Sequence, residues 1–259
     1  MPRNSKKTRV IWICFFIYII VFFISIGIGR YYVSIGDIFK ILVSSVLPIN
    51  QTWDPAMERV VLYIRPSRLF VGSLVGASLG LAGATFQGLF KNPLVSPDIL
   101  GVSSGAGFGA AAAILLGAGA VGIQLSALLF GLLAVAAVYL IYKAFRSPNI
   151  LMLALAGIIV NGFFSSALSL TKYMADPNDT LPAITFWLMG SLAAADYDDL
   201  MFMIIPILAG SFGIIFLRWK INVLSLGDSE AKALGVNVNR LRFLLVLFAT
   251  VITAVSVCV

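Results

Sequence analysis

Long apolar runs alternate with short polar breaks along this chain, a pattern that predicts helices crossing a membrane rather than elements of a soluble core. Seven runs qualify, at about 10–29, 69–90, 99–117, 121–143, 150–174, 200–217 and 241–259. A helix needs roughly 17–25 apolar residues to cross a hydrocarbon core about 30 Å thick. The expected fold class is all-α, a polytopic transmembrane helical bundle. Two runs carry glycine at a spacing of four, Gly72, Gly76 and Gly80 in one and Gly101, Gly105 and Gly109 in the next. Such faces let helix backbones approach closely in lipid, so both runs are expected in the middle of a tight bundle.

The breaks carry the polar groups. Between the second and third runs, KNPLVSPDILGVSSGAG places Pro93 and Pro97 beside Asn92, Asp98, Ser103 and Ser104. Proline biases the preceding residue away from helix, so the chain breaks here, either as an interhelical turn or as a buried re-entrant connection. The fifth run follows Ser147, Pro148 and Asn149 and contains Asn161, Ser165, Ser166 and Ser169. Asn161 and Ser165 either join helices or line a pathway, because a polar group within a span needs a partner or water. In the break 218–242, the residues from Asp228 to Leu234 favour a short helix, with acids near its start and Gly235 just past its end. That helix is either a docking element or part of a solvated loop.

Composition agrees: 60% of the 259 residues are hydrophobic and 11% are charged. The net charge of +7 comes from Lys and Arg at the ends of the runs, which is topology rather than nucleic-acid binding. Lys91, Lys143, Arg146, Arg218, Lys220, Lys232, Arg240 and Arg242 fall on one side, and Asp176, Asp179, Asp196, Asp198 and Asp199 on the other. The N-terminus is therefore expected in the cytoplasm, and the first run reads as an uncleaved span. The outer segment 30–68 breaks the rule with Arg30, Lys40, Arg59, Arg65 and Arg68. Arg65 and Arg68 either anchor the second span at the headgroups or form an exposed patch for an acidic partner. The final 17 residues hold no charge and no interfacial anchor, so the sequence is expected to stop inside a seventh helix.

Cys14 and Cys258 lie inside apolar runs, and there is no histidine. No metal site and no catalytic residue is assigned. No ionisable residue sits mid-span to relay ions, and no G-x-x-x-x-G-K-[ST] loop binds ATP. Uphill transport would draw its energy from another subunit. A secondary transporter with an inverted repeat is the alternative, and a membrane-embedded enzyme lacks its residues.

The stretch RPSRLFVGSLVGASLGLAGATFQGLFKNPLVSPDILGVSSGAG, with WLMGSL at 187–192 and LSLGDSEAKALGV at 224–236, resembles FecCD-type permeases, importers of iron-siderophores, haem and vitamin B12. The resemblance implies a type II ABC importer permease with a ten-span fold, of which about seven spans are present. It implies a second permease copy or homologue, two cytoplasmic ATPases that bind ATP-Mg, and an extracellular or periplasmic binding protein. The expected location is a prokaryotic inner membrane, and the expected cycle is alternating access. By position, Arg65 and Arg68 match outward arginines that engage the binding protein. Leu226, Gly227, Asp228, Glu230, Ala231, Leu234 and Gly235 match the coupling helix. Ser147, Pro148 and Asn149 match an inner gate, and the run containing Asn161 and Ser165 matches a pathway-lining helix. The family usually continues beyond the seventh span through a Gly-rich stretch and a Pro-His block into three more helices, and it more often places proline beside the second arginine.

Overall fold

The computed structural model describes residues 5–45, 47, 50–144 and 150–258, and among them the only regular elements are helices. In chain order these are α1 (Ser5–Gly27), α2 (Ile35–Ser44), α3 (Pro55–Arg59), a π-helical turn (Val60–Ile64), α4 (Arg65–Phe90) and a 3₁₀ turn (Pro97–Leu100). There follow α5 (Val102–Leu115), α6 (Ala120–Ala144), α7 (Ile150–Met174), α8 (Thr180–Met189), α9 (Tyr197–Leu226), α10 (Asp228–Ala233) and α11 (Val238–Val257). Among the described residues, six helices are long and apolar enough to cross a membrane: Thr8–Gly27, Pro55–Phe90, Ala120–Ala144, Ile150–Met174, Tyr197–Leu226 and Val238–Val257.

The third expected span, 99–117, is shorter than its apolar run. Gly101 adopts φ +73° and ends the 3₁₀ turn, so α5 holds only 14 residues, a rise of roughly 21 Å. The second expected span is longer than its run. α3, the π turn and α4 form one continuous helical stretch of 36 residues, with Pro66 inside it. A proline removes the donor for the carbonyl four residues earlier. That carbonyl, on Leu62, accepts a hydrogen bond from the Tyr197 hydroxyl at 3.1 Å, and Arg65 N–H reaches back to Val60 O through the π turn. A third departure is α8, an apolar helix inside the stretch 175–199 expected as an acidic outer loop. Its Ile184 is fully buried beside Ala111 and Ala175.

The chain divides into two compact units. The first holds the residues up to Ser73 together with Ala193–Leu200. Its core gathers Val33, Ile38, Ile41, Trp53 and Val61. α2 starts at Ser34, whose Oγ accepts from Asp37 N–H at 3.1 Å. α3 starts at Asp54, whose carboxylate accepts from Ala56 N–H at 2.8 Å, and Pro55 occupies the first turn, where a missing N–H costs nothing.

The second unit, Leu74–Leu192 with the chain from Met201 onward, is built on α5, α6 and α7, with α11 against them. Leu100, Val102, Ala134, Val138, Leu153, Ala156, Leu245 and Ile252 share its core. Close approach explains the glycines of α5. A Cβ at Gly105 would sit 2.6 Å from Phe130 O, and one at Gly109 would sit 2.5 Å from Ser126 O. Ser126 Oγ closes the pair by donating to Gly109 O at 2.7 Å. The other glycine series is different. Gly72 is half-buried, and a Cβ at Gly76 or Gly80 would meet nothing within 4 Å. The expectation of tight glycine packing within this chain holds for Gly101, Gly105 and Gly109, whereas Gly76 and Gly80 of α4 have no neighbour within reach.

Candidate functional site

Three features carry chemistry. The first, in the first unit, gathers arginines where α1 ends. Arg65 is only 8% exposed. Its Nη1 donates to the carbonyls of Ile26 at 2.5 Å and Gly27 at 3.2 Å, and its Nη2 donates to Tyr31 O at 2.6 Å. The first two are carbonyls that helix α1 leaves unpaired as it ends, the third lies in the segment that follows, and a cation there also opposes the negative end of the helix dipole. Gly29 makes the space, since a Cβ on it would lie 2.8 Å from Arg65 Nη2. The expectation of two exposed arginines is corrected: Arg65 is turned inward and ties α1 to α4. Arg68 is exposed, and its Nη2 donates to the Ala193 carbonyl.

Arg30, in the sequence only an exception to the charge topology, joins Arg65 and Arg68 around a cleft of about 400 Å³. None of the three forms an ion pair among the described residues. The signal in the sequence was an arginine directly after the glycines that end the first apolar run. Arg65→Ala is expected to lower stability by about 2–3 kcal/mol, because it strands carbonyls that a charged donor satisfies. Thermal denaturation in detergent would measure this, and an unchanged midpoint would remove Arg65 from the tie.

The second feature is a polar stripe on α7. Asn161, Ser165 and Ser169 recur every four residues and Ser166 lies alongside, with the serines exposed and Asn161 half-buried. Ser165 Oγ donates to Asn161 Oδ1 at 3.3 Å, Ser166 Oγ to Gly162 O at 2.8 Å and Ser169 Oγ to Ser165 O at 2.9 Å. The hydroxyls are satisfied on their own helix, so the stripe is polar without requiring a partner. The neighbouring turns of α7 seat the 3₁₀ turn: a Cβ on Gly157 would overlap Ile99 O, and one on Gly101 would lie 3.3 Å from Asn161 Cα. Asp98 fixes the start of α5 by accepting from Ser103 N–H at 2.8 Å. Ser147, Pro148 and Asn149 lie outside the described residues.

The third feature is α10, in the second unit. It begins after Gly227, at φ +154°, where a Cβ would run into the Glu230 carboxylate. It closes at Gly235, φ +77°, with Gly235 N–H donating to Lys232 O and Val236 N–H to Ala231 O, both at 2.9 Å. This pair of bonds is the glycine-terminated helix stop. Ala231 is buried, whereas Leu226, Glu230, Lys232, Leu234 and Gly235 are exposed. What holds α10 in place was not foreseen. Arg242, 5% exposed in the first turns of α11, donates through Nη2 to both carboxylate oxygens of Asp228, at 2.7 and 2.9 Å. In the sequence Arg242 stands only as one more cation of the break 218–242. Asp228 and Arg242 lie on different helices with the stop at Gly235 between them, so only the fold brings the two together.

Residues 17–259 match the FecCD transport family. The chain belongs to that family. FecCD relatives include the molybdate import system permease protein MolB of Haemophilus influenzae, 40% identical over 236 residues, which covers 91% of this chain and 69% of MolB. An iron chelatin transport system permease protein of Helicobacter pylori is 35% identical over 204 residues, covering 79% of this chain and 61% of the relative. The chain thus spans about two thirds of the length of these curated relatives. A solved inward-facing metal-chelate type ABC transporter matches with a TM-score of 0.84 and 37% identity, over 97% of this chain and 75% of that one. As a FecCD member the chain is of the ABC importer permease type, a transport subunit rather than an enzyme. The all-α membrane fold class expected from the apolar runs is the fold of that solved transporter.

Proposed function

We propose that this chain forms the conduit through which an ABC importer moves a metal chelate or metal oxyanion into a prokaryotic cell. ATP-Mg hydrolysis takes place in partner subunits on the cytoplasmic face, delivery comes from a binding protein outside, and a second permease copy or homologue completes the channel. The observation that carries the reading is α10, a short exposed helix clamped to a membrane-spanning helix by a buried arginine. A rigid lever of this kind passes motion of a docked ATPase to α11 without bending. The polar stripe of α7 supports a pathway, since hydroxyls exposed on a spanning helix suit a water-filled route better than lipid. The relatives' names, with molybdate beside iron chelatin, widen the substrate class beyond the siderophores, haem and corrinoids that the sequence motifs suggested.

The test is uptake into proteoliposomes holding the complete transporter, with binding protein and radiolabelled iron chelate or molybdate inside or outside the vesicle. Uptake that requires ATP on the α10 side supports the assignment, and uptake that persists without the ATPase revives the secondary transporter. Within this reading Arg68, rather than Arg65, presents charge to the binding protein. Arg68→Glu is expected to weaken docking about tenfold, the size of effect a like charge across an interface produces. Docking titrations at low and high salt check this, and unaltered affinity at low salt would detach Arg68 from the role.

A further inference from the structure

A second cleft, of about 810 Å³, lies between α9 and α11 in the second unit. One wall is a face of α9 on which Phe212, Phe216, Trp219 and Lys220 follow one another at helical spacing. Over the eight steps from Lys220 back to Phe212 the wall descends by roughly 12 Å from the cationic end to the apolar depth of the span. Arg240, in the first turn of α11, faces the cleft at the cationic end, and Phe248 lies deeper along the same helix. The Phe248 ring enters because Gly213 carries no Cβ, which would lie 2.6 Å from it. Phe212, Phe216 and Trp219 are all strongly exposed. No carboxylate lines the cleft, and neither Lys220 nor Arg240 forms an ion pair among the described residues.

We propose that this cleft binds an anionic phospholipid. The phosphate sits between Lys220 and Arg240, the glycerol lies beside Trp219, and an acyl chain runs along Phe216 and Phe212 towards Phe248. The match is in the order of chemistry with depth. Two unpaired cations stand at the end of the spans, an indole stands at the level where indoles favour the headgroup boundary, and apolar rings stand below. Basic pockets between spanning helices select anionic headgroups through charge attraction, and the aromatic wall gives the chain a fixed surface. A soluble anion would use only the cations and leave the aromatic wall bare, so the lipid accounts for more of what is observed. This inference rests on the membrane-spanning fold and not on the transported substrate, so it stands or falls separately from the import reading.

Trp219 reports on the site directly. The purified full chain in neutral detergent is titrated with phosphatidylglycerol or phosphatidylcholine carrying brominated chains, and the emission lost on Trp219→Phe isolates the indole of interest. Phosphatidylglycerol is expected to quench that emission at a lipid fraction about tenfold lower than phosphatidylcholine, as two basic contacts provide. Lys220→Gln with Arg240→Gln should erase the preference, and Lys220→Arg with Arg240→Lys should keep it. Equal quenching by the two lipids overturns the proposal, as does a preference that survives the glutamine pair. Loss of the preference in the arginine–lysine exchange also overturns it, because charge alone should suffice. Displacement of the lipid by glycerol phosphate at equal concentration would make this a small-anion site instead. Absence of quenching by either lipid overturns the proposal as well.

Discussion

Gly109→Val separates α5 from α6 and lowers the stability of the chain by about 3 kcal/mol, the upper part of the range for overpacking a tight core. The reason is what the new atoms would meet. A Cβ at Gly109 would lie 2.5 Å from Ser126 O and 2.8 Å from Phe130 Cβ. The nearer obstacle is backbone, which cannot rotate aside as the end of a side chain would. Relief requires the two helices to move apart, which also stretches the Ser126 hydrogen bond to Gly109 O. Gly105→Val behaves alike, since its Cβ would meet Phe130 O at 2.6 Å and Ala134 Cβ at 2.8 Å. The same kind of glycine in α4 gives the opposite result. Gly76→Ala and Gly80→Ala have nothing within 4 Å to displace, and alanine in a helix interior gains about 0.5–1 kcal/mol over glycine. Thermal denaturation of the four variants in one detergent makes the comparison. Similar midpoints for the α4 and α5 variants would contradict the packing described here.

Asp228→Ala has the second large effect, and it falls on coupling as well as stability. Arg242 is 5% exposed and has Asp228 as its ion-pair partner, so removing the carboxylate strands a buried guanidinium. Breaking a buried pair costs about 3–5 kcal/mol. The Asp228 side chain is 41% exposed, so water screens part of that and about 2–3 kcal/mol is expected. The double variant Asp228→Ala with Arg242→Met should recover most of the stability, because no unpaired charge is left behind. It should not recover transport. In the assembled transporter ATP hydrolysis continues while uptake drops about tenfold, since α10 is no longer fixed to α11. Paired hydrolysis and uptake measurements on the two variants decide it. If the double variant transports normally, the clamp is a stability element and the lever reading fails.

How far the sequence disclosed this structure depends on how local each cause was. The apolar runs named the long helices, since hydropathy over some 20 residues is a property of contiguous chain. Gly235 revealed the end of α10 because a glycine-terminated helix stop involves only neighbouring residues. The length of α4 was hidden, because Pro66 signals a break unless its orphaned partner, Leu62 O, is satisfied from elsewhere. Here the donor is Tyr197, 135 residues away. Arg65 looked like a surface charge for a similar reason. Its partners are backbone carbonyls, two at the end of α1 and one in the segment after it, which no pattern of side chains encodes. The repeated glycines were visible in both α4 and α5, but whether a glycine face has a neighbour is settled by the packing of distant helices. The arginine trio and the Asp228–Arg242 clamp share this property. Each gathers residues far apart in the chain, and each was visible only as separate charges.

The brevity of α5 bears on how such a chain is made. At roughly 21 Å, α5 falls short of a hydrocarbon layer of about 30 Å, and most of its residues are buried against neighbouring helices. It has little lipid-facing surface of its own with which to hold a position in the bilayer. Its place is created by α6 and α7, which are synthesised after it, so the nascent segment must wait for the walls of its own pocket. For α5, settling in the membrane is a step of tertiary folding rather than of insertion, and variants that loosen α6 or α7 should leave it stranded.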